Sequence, residues 1–164
     1  MKRILLFLLL VICLGCNNDL SVDNKTTTTK PIVNEINHMV LETANEVRTI
    51  MHSKETKMLV FGRESSDWCQ RYVEVINRVS KDHNIIIYYL DLDNLIDFEM
   101  SALFALNIMI PGKCTANNKE TNLISTMPTP ISLFFKDNKT IDCISGFVPT
   151  RDLIEYLKEH EMIE

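Results

Sequence analysis

The chain reads as an α/β domain in which a mixed sheet carries helices on both faces, and three observations lead there. Short apolar runs alternate with segments of helical periodicity in the order α-β-α-β-α, then an insertion, then β-β-α. One run, Ile85-Ile86-Ile87-Tyr88-Tyr89-Leu90, is β-branched and aromatic without a polar break, as a strand covered on both faces requires. Another, Met58-Leu59-Val60-Phe61, passes through a short polar turn, Gly62 to Ser66, straight into a helix.

The N-terminus is read as a targeting segment. Met1-Lys2-Arg3 is a positive head, Ile4 to Leu14 is almost wholly apolar, and polar Asn17-Asn18-Asp19 follows Gly15-Cys16. This is the pattern of a secretory signal over residues 1–15, too short for a comfortable bilayer span of about 20 residues. Leu14-Gly15-Cys16 resembles the bacterial lipobox, with Cys13 standing where a leucine is usual. The resemblance implies a diacylglyceryl group on Cys16, and so a protein lipid-anchored to the outer face of the bacterial cell membrane. A simple secreted protein and an uncleaved anchor are the alternatives. Residues 16–35, with four consecutive threonines and Pro31, then read as a flexible tether, and 36–164 as one folded domain.

Within the domain, apolar Ile36, Val40, Ala44, Val47, Ile50 and Met51 predict a helix from Ile32 to about His52. Met58–Phe61 is the first strand, and a helix runs from Asp67 to about Asp82. The Ile85–Leu90 strand follows. Asp91 to Asn94 can cap a helix from Leu95 to Leu106. Residues 108–127 show weak periodicity, with Pro111, Gly112 and a polar centre, and read as a long irregular insertion. Pro130–Phe135 and Thr140–Ser145 are strands joined by a turn at Lys136-Asp137-Asn138-Lys139. Thr150 is expected to cap a last helix, Arg151 to about His160.

Of 164 residues, 46% are hydrophobic and 24% charged, as for one ordinary globular domain with tails. The full chain carries a net charge of −5. Without residues 1–15, 15 bases and 22 acids remain, a net −7. Such a surface offers no electrostatic case for nucleic acid or anionic lipid. The five cysteines show no paired metal-ligand spacing, and His38, His52, His83 and His160 are read as solvent-facing, so no metal and no cofactor is expected.

Several anchors together resemble thioredoxin over about residues 36–162. Phe61 precedes Ser66 by five residues, the family's distance from the strand phenylalanine to the first cysteine of its C-x-x-C. Thr129-Pro130 followed by Ile131 to Lys136 matches the family's cis-proline, strand and lysine turn, and Gly146 matches the glycine ending its last strand. Insertion 108–127 then falls before the cis-proline strand. Within the superfamily, Gly62-Arg63, Cys69-Gln70-Arg71-Tyr72 and Ile87-Tyr88-Tyr89-Leu90-Asp91 most resemble the bacteriocin transport accessory-like branch.

The resemblance implies a site at Ser66-Asp67-Trp68-Cys69. In the family the first cysteine is the nucleophile, its thiolate stabilised at the helix N-terminus, and the second resolves the mixed disulfide. In this register Ser66 stands at the nucleophile position and Cys69 at the resolving one. A hydroxyl cannot perform thiol–disulfide exchange. Val60 also stands where ordinary thioredoxins keep a buried aspartate, so the usual dithiol chemistry should be absent. A second register makes Trp68-Cys69 the family's W-C, with Cys69 as nucleophile and Tyr72 in place of the second cysteine. Structurally, Cys69 can equally be a half-buried core thiol, Asp67 a helix cap and Trp68 an exposed aromatic at the rim. Trp68, Thr129 and Pro130 suit binding of an extended peptide. Cys143 reads as a buried, unreactive thiol, and Cys114, in the insertion, as a possible partner for Cys69.

Three functions follow. The leading one is a redox-degenerate, membrane-anchored extracytoplasmic protein that binds or assists a peptide or protein client, of the bacteriocin-export accessory type. The alternative is a thiol–disulfide oxidoreductase using Cys69 alone or with Cys114, and the third a purely structural envelope lipoprotein. Exposure of Cys69 favours chemistry, and burial favours binding.

Overall fold

The computed structural model describes residues 37–164. The signal segment, the lipobox Cys16 and the tether lie outside the described residues.

Where a helix was expected from Ile32 to His52, the described part opens with a short strand, β1 (Met39–Leu41), and the helix α1 begins only at Ala44 (Ala44–Met51). Thr43 sets that start. Its hydroxyl accepts from the Glu46 N–H at 3.2 Å while the Glu46 carboxylate accepts from the Thr43 N–H at 2.9 Å, a reciprocal capping box. The strand β2 (Lys57–Gly62) leads into α2 (Asp67–His83), which Asn84 ends in the left-handed conformation. The next strand, β3 (Tyr88–Asp91), starts later than its apolar run suggests. The Ile85 N–H is taken by the Ser80 carbonyl at the end of α2, and Ile86 is exposed.

Helix α3 (Asp97–Ala105) follows, with Ile96 at its N-cap and no side-chain cap from Asp91–Asn94. The insertion is ordered: β4 (Met109–Ile110) pairs with β5 (Thr121–Asn122) around a 3-10 turn at Gly112–Cys114, and a single-turn α4 (Leu123–Thr126) closes it. The strands β6 (Ile131–Lys136) and β7 (Lys139–Ser145) form a hairpin whose two central residues, Asp137 and Asn138, both have positive φ, as a two-residue turn requires. Helix α5 (Thr150–Glu159) has Pro149, not Thr150, at its N-cap.

The five-stranded sheet has the order β1-β3-β2-β6-β7, with β1, β3 and β2 parallel and β6 and β7 each antiparallel to its neighbour. Side-chain alternation along β2 divides the core. Leu59 and Phe61 meet α1, α3 and the insertion, while Met58 and Val60 meet Tyr72, Ile76 and Val79 of α2 and Leu153 and Leu157 of α5. Helices thus cover both faces.

Two histidines depart from the solvent-facing reading. His38 is buried, with its Nδ1 unpartnered, and half-buried His160 holds Asp142 at 2.8 Å. Both sit where an element end meets the core, which a helix-face reading of the sequence does not anticipate.

Candidate functional site

The parallel strands β2 and β3 end side by side, with Gly62 opposite Asp91. A Cβ on Gly62 would fall 2.7 Å from Tyr89 ring carbons and nearer still to the hydroxyl, so only glycine lets that ring lie beneath the turn. The buried Tyr89 phenol is pushed well above its ordinary range, first by burial and then by the negative charge of Asp91 and of other nearby carboxylates.

From Gly62 the chain turns through residues 63–66, and the loop after β3 holds that turn. The Leu92 N–H donates to the Gly62 carbonyl at 2.9 Å, and the Asp91 carboxylate accepts from the Glu64 N–H at 3.1 Å. Asp93 accepts from the Ser65 N–H at 3.0 Å and from Arg63 at 2.7 Å. Hydrogen bonds from Ser65 and then the Arg63 pair hold the Asp93 carboxyl below its usual range. Asp93, expected with Asp91 and Asn94 to cap the next helix, instead holds Ser65 and Arg63; the Asp91-x-Asp93 spacing at a strand end is the signal available for this in the sequence.

The turn delivers Ser66 to the N-cap of α2. Its φ of −102° and ψ of 118° are extended, and its hydroxyl accepts from the Cys69 N–H at 3.4 Å. The cap is therefore Ser66 and not Asp67. Cys69 lies one turn in, 0% exposed and unpaired. Ser66 thus stands at the mouth of the helix with Cys69 one turn behind it. Tyr72, which the second register puts in place of a cysteine, is buried and hydrogen-bonded to the Ser132 hydroxyl at 3.0 Å.

Trp68 points the other way and is 58% exposed. Its ring lies 6.0 Å from that of Phe147, with the Arg71 guanidinium 5.4 Å above it. Phe147 also meets Tyr72 edge-on. The residue before Phe147, Gly146, has a φ of +84° and donates to the Pro130 carbonyl at 2.8 Å. The Thr129–Pro130 peptide is cis, with Pro130 buried and Thr129 half-buried. Since Ile131 pairs with Phe61, this segment enters the sheet beside the strand that feeds the turn. Trp68, Phe147 and Thr129–Pro130 thus form one rim. Phe147 was not singled out from the sequence, although an aromatic directly after a strand-ending glycine was visible.

The cysteine pairing corrects two expectations. Cys114 forms a disulfide with Cys143, with Cα atoms 6.2 Å apart, so Cys114 is not the partner of Cys69 and Cys143 is not a free thiol. The sheet explains this. The insertion and Cys143 belong to the α1/α3 face, whereas α2 brings Cys69 to the opposite face. Beside the disulfide, buried Asp142 accepts from the Cys143 N–H at 2.6 Å and pairs with Lys113 and His160. Among the described residues no three His, Cys, Asp or Glu side chains converge as a metal site.

No protein-family model and no curated protein matches the sequence. Solved structures do resemble it. The chain is similar to a thioredoxin of Fasciola hepatica at 18% identity and a TM-score of 0.52, over 74% of this chain and 98% of that one. It is similar to thioredoxin NaTrxh of Nicotiana alata at 14% and 0.52, over 76% and 92%. A point-mutant thioredoxin of Halobacterium salinarum gives 11% and 0.53, over 75% and 89%. At these identities what is shared is the fold, and the fold is thioredoxin-like.

Proposed function

We propose that this thioredoxin-like domain holds a peptide or protein client without dithiol chemistry, at the rim made by Trp68, Phe147 and Thr129–Pro130. The observation that carries the reading is the pair Ser66 and Cys69. A hydroxyl occupies the helix mouth, where attack on a disulfide would need a thiolate, and the one unpaired thiol among the described residues is fully buried. What remains outward at this end is an exposed aromatic ring beside a half-buried backbone segment, which suits an extended chain.

The proposed setting is outside the cytoplasmic membrane, with Cys16 bearing the lipid and the client a secreted peptide or protein of the bacteriocin-export type. The Cys114–Cys143 disulfide supports an oxidising compartment. Changing Cys16→Ser is expected to move the protein from the membrane fraction to the soluble one on fractionation.

Trp68 is the single tryptophan of the chain, so its fluorescence reports on the rim. Titration with extended peptides is expected to shift or quench its emission saturably, and native Cys69 is expected to resist iodoacetamide until the chain is denatured. Rapid labelling of Cys69 together with turnover in an insulin-reduction assay would instead establish the oxidoreductase reading.

A further inference from the structure

We infer that the molecule has a second recognition surface, a groove between β1, the edge strand of the sheet among the described residues, and the start of α3, suited to an extended segment that is both basic and apolar. The groove encloses about 480 Å³ between Val40–Thr43 and Asn94–Glu99. It goes beyond the client rim, since neither Trp68, Phe147 nor Thr129 lines it.

Three features define what fits. The first is backbone. β1 is an edge strand, and Met39 donates its N–H to the Ile87 carbonyl at 3.0 Å. Peptide groups along a parallel ladder alternate in direction, so those of Val40 face away from the sheet and can pair with an added strand. The second is apolar surface. Ile96 is 67% exposed in the groove wall, and Phe98 beside it is 73% exposed. Ile96 offers this apolar contact within the groove itself. The third is charge. The walls include exposed Glu42 and half-buried Glu99, whose carboxylate also takes the Ala44 N–H at 2.7 Å, and no lysine or arginine, while Asp91 lies buried beneath them and is held by the Glu64 N–H. Asp97, exposed in the first turn of α3 directly after Ile96, adds a further carboxylate, whereas Asp93 is already paired with Arg63. A strand with alternate side chains basic and apolar would meet Val40 with its backbone, the carboxylates with one set and Ile96 with the other. Anionic lipid or an acidic peptide would be repelled.

The probe is a fluorescein-labelled dodecapeptide of alternating lysine and valine, titrated with the purified full chain and read by fluorescence anisotropy. Saturable binding is expected that weakens about tenfold or more between low and high salt. Glu42→Lys reverses a wall charge, Ile96→Ser removes the exposed apolar contact, and Val40→Pro deletes the outward N–H at an edge position that tolerates proline. Each is expected to weaken binding by about fivefold or more with an unchanged circular dichroism spectrum. Should Val40→Pro unfold, the two exposed substitutions carry the test. Equal binding of the glutamate–valine counterpart, or unchanged affinity in Glu42→Lys and Ile96→Ser, overturns the inference. So does an equal loss with Trp68→Ala, which would place the probe at the rim, or capture by phosphatidylglycerol vesicles that Ile96→Ser abolishes. The Trp68 titration with client peptides is a separate readout, so either surface can fail alone.

Discussion

At residue 66 a hydroxyl caps a helix. Ser66 meets one of the unpaired N–H groups at the start of α2, that of Cys69. Its removal in Ser66→Ala is expected to lower stability by about 1 kcal/mol in denaturant titration. Ser66→Cys restores the C-x-x-C spacing at a position that already suits a thiolate. Insulin reduction is expected to rise about tenfold or more above the wild-type background. No gain would mean that the buried Cys69 cannot act as the resolving thiol. Gly62 tests the floor of the turn: Gly62→Ala drives a methyl into the Tyr89 ring. Overpacking there is expected to cost about 1–3 kcal/mol, with partial recovery in the Gly62→Ala/Tyr89→Leu double variant.

Among the elements, the insertion has changed most from its sequence reading. It is a small sheet, a 3-10 turn and a helical turn, fastened to β7 by a disulfide that joins residues 29 apart. Replacing both Cys114 and Cys143 by serine is expected to cost about 3–4 kcal/mol on loop-entropy grounds. Amide exchange should speed up chiefly within residues 108–127. The reasons for what was legible are physical. Helix α2 announces itself because 17 residues carry several turns of apolar spacing between a serine cap and a left-handed Asn84. β1 does not, because three residues cannot distinguish a period of 2 from one of 3.6, and its partner strand lies far along the chain. The start of α2 at Asp67 could be placed, because the polar turn after Phe61 ends where the apolar spacing begins. The Cys114–Cys143 bond could not, since connectivity depends on which face of the sheet each cysteine reaches. The clasp of Asp91 and Asp93 on residues 63–65 likewise exists only once β2 and β3 lie together.

For the whole molecule, two buried ionisable groups make stability depend on pH. Burial pushes the His38 imidazole below its ordinary value of 6.5, against a hydrogen bond with Asn77 that draws it up. The unfolded chain therefore takes up this proton first as pH falls through about 6.5, and folding stability declines until folded His38 is protonated too. A Tm lower by a few degrees at pH 5.5 than at pH 7.5 is expected, with a flatter profile in His38→Gln. Asp142 acts lower on the scale. Burial raises its carboxyl, but hydrogen bonds from Lys113, the Cys143 N–H and His160 outweigh this and hold it below the ordinary 3.8. Its contribution is present above that value and is lost as pH falls through the depressed one, so Asp142→Asn should blunt the steepest part of acid unfolding.

If the proposed client binds at the Trp68 rim, the burial of Cys69 sets how it leaves. A protein that captures clients through an exposed thiol can hold them covalently until a second thiol arrives, and the release time is then chemical. Here two of the three described cysteines are tied to each other and the third is sealed under the helix start. An encounter at the Trp68 rim would therefore end by simple dissociation, with a residence time set by contacts alone. It would be indifferent to added reductant for as long as the fold persists, and open to displacement by any competitor of equal fit.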